Sequence, residues 1–309
     1  MNHALSRRGF LKTSTLSLAG LGLWESVAAA VEPFQRSGSP RLLLSLAAYS
    51  FRESFVTNER AKKTDGKQID LFQFVDFCAE HGCEGAELTS YYFPKDLDSD
   101  YLLKMRRHAF LRGIGISGTA VGNNFALSSG PQRDAEIASV KKWVDHASVL
   151  GAPHIRIFAG APRGISKEEA KKLCISAVEK CADYAAKRGV FLGIENHGGI
   201  VAEPADLLDI VRAIRSPWVG INLDTGNFHT DDPYQDIALC APYAVNVQVK
   251  SEIRKRSGKA EPADLQRLIK ILRDVNYQGY VALEYEASED PWKAVPGLLR
   301  QLKGLCAAA

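Results

Sequence analysis

The sequence predicts an α/β protein of the (β/α)8 barrel class, in a single domain. Three observations carry this reading. Short apolar runs that read as buried strands alternate with helical or loop connections, eight times in all. Four of them, GVFLGIEN (189–196), WVGINLD (218–224), YAVNVQVK (243–250) and GYVALEY (279–285), end at or near Glu195, Asp224, Gln248 and Glu284. Those residues are spaced 29, 24 and 36 apart, about one strand-plus-helix unit each. Finally, no glycine-rich phosphate fingerprint follows the first strand, which argues against a doubly wound open sheet.

The elements follow in order. Strand one is LLLSLAAY (42–49), and a polar stretch over 52–67 that reads as a lid comes next. IDLFQFVDFCAEHG (69–82) has apolar residues at helical spacing and a terminal glycine. CEGAEL (83–88) is strand two, a helix spans 100–112, and GIGISGTAV (113–121) is strand three. A helix over 134–150 leads to strand four, HIRIFAG (154–160). Ser166 and Glu169 predict a capping box for a helix ending at Lys187-Arg188-Gly189, before strand five. Pro204 opens a helix over 205–215 that leads to strand six. A short helical connection (236–240) enters strand seven, a helix over 262–275 reaches strand eight, and a last helix (294–305) closes the ring.

The first 30 residues are set aside as an address. Ser6-Arg7-Arg8-Gly9-Phe10-Leu11-Lys12, a short apolar stretch and Ala28-Ala29-Ala30 resemble a twin-arginine export signal. This implies folding before export, a partnership with the twin-arginine machinery and a periplasmic or otherwise exported location. Residues 31–40 read as a linker and 41–309 as the barrel. The net charge of +3 falls to +1 without the signal, so nothing draws the protein to nucleic acid. No segment predicts a stable membrane anchor. The six cysteines form no C-x-x-C or zinc spacing; Cys174 and Cys181 read as buried small residues of one helix face.

In a parallel barrel the C-terminal strand ends share one mouth. Three carboxylates and an amide oxygen gathered there suit a hard divalent cation, which relieves their mutual repulsion. Other roles stay open: ion pairing for Glu195 and Glu284, turn capping for Asp224, and hydrogen bonding alone for Gln248.

The runs GIENHGG, NLDTGNFH, NVQVK and ALEYE resemble the xylose isomerase-like barrels, over most of the chain that follows the signal. That superfamily holds sugar isomerases, ketose 3-epimerases, inosose and dehydroshikimate dehydratases, and endonuclease IV. The resemblance implies a single-metal site on Glu195, Asp224, Gln248 and Glu284, with Glu195 and Glu284 as the catalytic proton-transferring pair. Gln248 stands where histidine is commoner. A neutral oxygen there favours Mg2+ or Mn2+ over Co2+ or Zn2+. Glu87, His197, His229, Lys250 and Arg254 are the candidate substrate-binding residues. A buried salt bridge remains open for Glu87 and a solvated position for His197, Lys250 and Arg254; His229 departs from the histidine that relatives place where Asn227 stands. Aromatics near the mouth (Tyr49, Phe51, Tyr91, Tyr92, Phe93, Phe125, Phe158, Phe228) suit sugar C–H faces.

The expected function is a metal-dependent isomerase or epimerase acting by proton transfer next to a carbonyl, on a free sugar or keto-sugar. A lyase or dehydratase of a keto-sugar or cyclitol is the alternative, through the same chemistry. A non-catalytic sugar-binding barrel is the non-enzymatic one. The seven histidines and slight charge exclude the multi-zinc, DNA-binding branch. Oligomeric state is left open.

Overall fold

The computed structural model describes residues 30–57 and 67–308. Residues 1–29 of the segment expected to be an export signal, and residues 58–66 of the expected lid, lie outside the described residues.

Eight parallel strands close a barrel. They are β1 (Arg41–Ala47), β2 (Gly85–Thr89), β3 (Gly115–Ala120), β4 (His154–Phe158), β5 (Phe191–Glu195), β6 (Val219–Asp224), β7 (Ala244–Val249) and β10 (Gln278–Leu283). Neighbours in sequence are neighbours in space, and β1 pairs with β10 to close the ring. The helices are α1 (Leu71–Glu80), α2 (Ser99–Leu111), α3 (Pro131–Leu150), α4 (Lys167–Ala186), α5 (Pro204–Ala213), α6 (Pro233–Cys240), α7 (Leu265–Asp274) and α8 (Pro291–Ala307). Isoleucine, valine and leucine of the strands pack outward against these helices in one core.

Helix starts follow local chemistry. Asp98, Asp232, Asp264 and Asp290 cap their helices through side-chain oxygens, and proline stands at the first turn of α3, α5, α6 and α8. Ser166 Oγ accepts from the Glu169 N–H as expected, but the full reciprocal box forms at Asp70 and Gln73.

One feature was not anticipated. Between β7 and α7 the chain makes an antiparallel hairpin, β8 (Glu252–Arg254) and β9 (Ala260–Pro262). Its strands are three residues each and mostly exposed, so no apolar alternation announces them. The hairpin takes up Pro262, and α7 starts three residues later, where Asp264 accepts from the Arg267 N–H. The expected linker lies along the barrel's N-terminal end. Val31 N–H donates to Ile214 O and Arg36 Nη2 to Ala244 O, while Phe34 meets Phe191 edge-on.

Of the aromatics assigned to the mouth, Phe51, Phe125 and Phe228 are fully buried core residues, and Tyr92 stacks on Phe55 at 4.1 Å. Phe158 and Tyr91 keep exposed surface. The six cysteines are free thiols, and Cys174 and Cys181 are both buried on α4.

Candidate active site

The barrel interior is unusually polar. Side chains two apart on a strand share a face, so Asn222 and Asp224 on β6 point inward together, as do Asn246, Gln248 and Lys250 on and just after β7. The lower layer is a closed hydrogen-bond network. Asn222 Nδ2 donates to Gln248 Oε1 at 2.6 Å, and Asn246 Nδ2 donates to Asn222 Oδ1 and Glu87 Oε2, both at 2.8 Å. Gln248 Nε2 donates to Glu87 Oε1 at 2.6 Å and to Glu284 Oε2 at 2.7 Å. Below this layer His154 packs against Gly118, where an added Cβ would lie 2.0 Å from the ring; no other residue fits there.

The upper layer carries charge. Lys250 Nζ lies 2.6 Å from Glu284 Oε1 and 3.2 Å from Asp224 Oδ2, and it also bonds Glu286 Oε2. Arg156, buried on β4, sets Nε 2.8 Å from Glu195 Oε2, donates Nη1 to Val121 O and stacks 4.0 Å over Phe158. Glu195 Oε1 meets His197 Nδ1 at 2.8 Å and accepts from Asn227 Nδ2 at 2.9 Å. Asn196 clamps the end of β6, donating to Asp224 O and accepting from Asp224 N–H.

These surroundings split the acids. Burial alone would raise Glu195, but Arg156, His197 and Lys250 outweigh it and hold the carboxyl below its usual range. Burial raises Asp224 to about 7; Lys250 opposes the rise, and the like charges of Glu195 and Glu284 add to it. Burial and the nearby Glu284 raise Glu87 to about 8. Burial lowers His154 to about 4, so it is neutral and its 4.0 Å approach to Glu87 is not an ion pair at neutral pH.

Asp224 and Glu87 therefore keep protons that the unfolded chain releases at lower pH. Protons bound in excess by the fold make stability fall as pH rises. The protein is expected to lose thermal stability from the ordinary carboxylate range up to about pH 8. Glu87→Gln should make that slope shallower, because it removes one of the two raised carboxyls. Denaturation curves over a pH series check both points.

The donor set suits a divalent cation. Glu195, Glu284 and Glu286, joined by Asp224 when it ionises, gather around the cations of Arg156 and Lys250, so acidic oxygens outnumber the cations they pair with. Asp224 Oδ2 is buried, with the Lys250 ammonium 3.2 Å away as its charged partner and no hydrogen bond completed to it. The cage itself is not assembled: among the described residues no three His, Cys, Asp or Glu side chains are arranged to hold a metal ion. Lys250 stands among the carboxylates, and Gln248 turns its amino group toward Glu284.

Residues 75–302 match the profile of the xylose isomerase-like TIM barrel. The chain belongs to that family. A Xenopus laevis protein provisionally named a hydroxypyruvate isomerase is 25% identical over 203 residues, covering 60% of this chain and 74% of its own. The D-psicose 3-epimerase of Clostridium cellulolyticum H10, solved with D-tagatose, superposes with a TM-score of 0.65 at 17% identity, covering 84% of this chain and 89% of that one. The IolI protein, solved with a bound zinc atom, gives 0.67 at 17%, covering 85% and 96%. At these structural identities the likeness is one of fold.

Within this xylose isomerase-like barrel, Glu195, Asp224, Gln248, Glu284, Glu87 and Lys250 come together, all buried. His229 and Arg254 are exposed and line a cavity of about 270 Å3 with Lys250, Asn227 and Glu286. His197 is more than half exposed but holds Glu195. Five contributors were not anticipated: Arg156, Asn222, Asn227, Asn246 and Glu286. Three carried a legible signal, since a charge or amide inside an apolar run (HIRIF, GINLD, AVNVQV) must face a polar interior. Glu286 follows Glu284 by two, the same period. Asn227 lies on a loop and carried none.

Proposed function

We propose that the protein is an enzyme, a divalent-metal-dependent sugar isomerase or epimerase that moves a proton next to the carbonyl of a free sugar or keto-sugar. The observation that carries this is the convergence of Glu195, Asp224 and Glu284 on one barrel mouth, with Lys250 bridging two of them. Glu195, Asp224 and Glu284 would hold the ion, and Gln248 joins them once its amide turns over. Bound there, the ion would polarise the substrate carbonyl and acidify the adjacent C–H.

The chain supplies the rest. Glu195 is kept ionised by Arg156, and its Oε1 faces the mouth beside His197 and Asn227, placed to accept the proton. Glu284, after taking up a proton from solvent at the mouth, delivers it to the opposite face or the neighbouring carbon, and Glu195 releases its own to solvent. Lys250 supports the negative charge that develops on the carbonyl oxygen. Arg254, His229 and Asn227 meet hydroxyls in the adjoining cavity.

The test is a panel of free sugars and keto-sugars incubated in deuterated water with Mg2+ or Mn2+. We expect an isomeric product carrying deuterium next to the carbonyl. A product lighter by one water would assign the lyase alternative. An isomer without deuterium would point to a hydride shift and overturn proton transfer. Binding without turnover would leave a sugar-binding barrel. We also propose export through the twin-arginine pathway, supported by the Arg7-Arg8 motif; Arg7→Lys with Arg8→Lys should retain the protein in the cytoplasmic fraction.

A further inference from the structure

We propose that Lys250 is the resident cation of the carboxylate cluster, and that its ammonium swings onto Glu286 when a divalent cation takes its place. The inference rests on the metal site proposed above and concerns what this chain does before and after that site fills.

The geometry singles out Lys250. Its Nζ has three carboxylate partners, of which Asp224 at 3.2 Å and Glu284 at 2.6 Å belong to the proposed donor set. The third, Glu286, does not. A compact ammonium with an 8% exposed side chain is tolerated because these acids surround it. It thereby compensates acids that would otherwise repel one another. A divalent ion held by the same two carboxylates would lie close to Nζ, and like charges so near in a poorly solvated site repel strongly. Both cations cannot keep those partners.

Only one of the three partners offers a way out. Asp224 is fully buried, whereas the Glu286 side chain is 38% exposed and lines the 270 Å3 cavity with Lys250. An ammonium that keeps Glu286 and gives up Asp224 and Glu284 moves toward that cavity without losing its last counter-charge. The backbone need not follow. Lys250 N–H is tied to Thr225 Oγ1 at 3.0 Å, so the four-carbon stem makes the movement.

A second feature is built around the stem. At Gly226 an added Cβ would lie 2.5 Å from Lys250 Cγ and 2.9 Å from its Cβ, so glycine there leaves room for the lysine stem. The backbone of Gly226 needs no left-handed conformation; the space for Lys250 accounts for the residue. Filling the site with metal therefore also moves the ammonium further toward the substrate cavity that Lys250 and Glu286 already line.

The test is a Mn2+ titration of the full chain, with free Mn2+ read by electron paramagnetic resonance and folding read by circular dichroism. Lys250→Met removes the competitor and is expected to tighten Mn2+ binding by about tenfold or more. Lys250→Arg keeps the charge and should bind no tighter than wild type. Glu286→Gln removes the acceptor for the displaced ammonium and should weaken binding, an effect that disappears in the Lys250→Met background. If Lys250→Met folds only with Mn2+ present, that rescue supports the proposal, and Glu286→Gln alone then decides it. Equal affinity in wild type, Lys250→Met and Glu286→Gln overturns the proposal while leaving the metal site standing. Failure of every variant to take up Mn2+ overturns the metal site itself.

Discussion

Glu195→Gln and Glu284→Gln are each expected to lower turnover by about 10²–10⁴-fold, the usual contribution of one general acid or base, with loss of ligand charge adding to it. The two should not behave alike otherwise. Glu195 is the counter-charge of buried Arg156, so its neutral form leaves a guanidinium unpaired and stability falls with activity. Glu284 shares Lys250 with Asp224 and Glu286, so its neutral form leaves that ammonium two partners and should cost less stability. Single-turnover deuterium exchange separates the proton-transfer steps. A variant whose remaining base removes the proton and redelivers it only to the same face should still wash label into recovered substrate. Full activity in both variants would end the proposed mechanism.

Arg156→Met should cost the largest stability loss of any single change at the site. Removing one member of a buried ion pair typically costs about 3–5 kcal/mol, because the other charge stays buried without its partner. Here the pair is deep: Arg156 is 5% and Glu195 3% exposed. Arg156 also donates to Val121 O at the end of β3 and covers the Phe158 ring, so the substitution loosens β3, β4 and β5 together. His197 and Asn227 remain on Glu195 Oε1, which limits the damage on the mouth side only. Arg156→Lys keeps the charge but not the fork and should recover part of the loss. Urea denaturation of the three proteins measures this. A loss below about 1 kcal/mol, the scale of an exposed pair, would mean that Glu195 finds another partner.

Much of the barrel was legible because strand and helix periods are local properties. Short apolar runs such as VFLGI and VALEY, bounded by turn residues and repeated between helical segments, suit buried strands, and Pro204 and Ser166 mark helix starts from within a few residues. The hairpin Glu252–Pro262 was not legible, since exposed three-residue strands leave no pattern. Nor could the mouth aromatics be sorted: Phe51, Phe125 and Phe228 follow strand ends as Phe158 and Tyr91 sit near them, yet only packing decides which reach solvent.

For the site the division has a physical cause. The sequence alone determined that Glu195, Asp224, Gln248 and Glu284 share one end of the barrel, because a parallel strand's last residue has only one mouth to face. It also determined that Lys250 points the way Gln248 does, by the two-residue period. Which partner each group takes was decided only by the closed barrel. Charges interact across space and not along the chain, so Arg156 on β4 became the partner of Glu195 on β5, 39 residues away. Lys250, Glu284 and Glu286 likewise met only when β10 closed against β7, which set an ammonium among the acids that the sequence had offered to a metal.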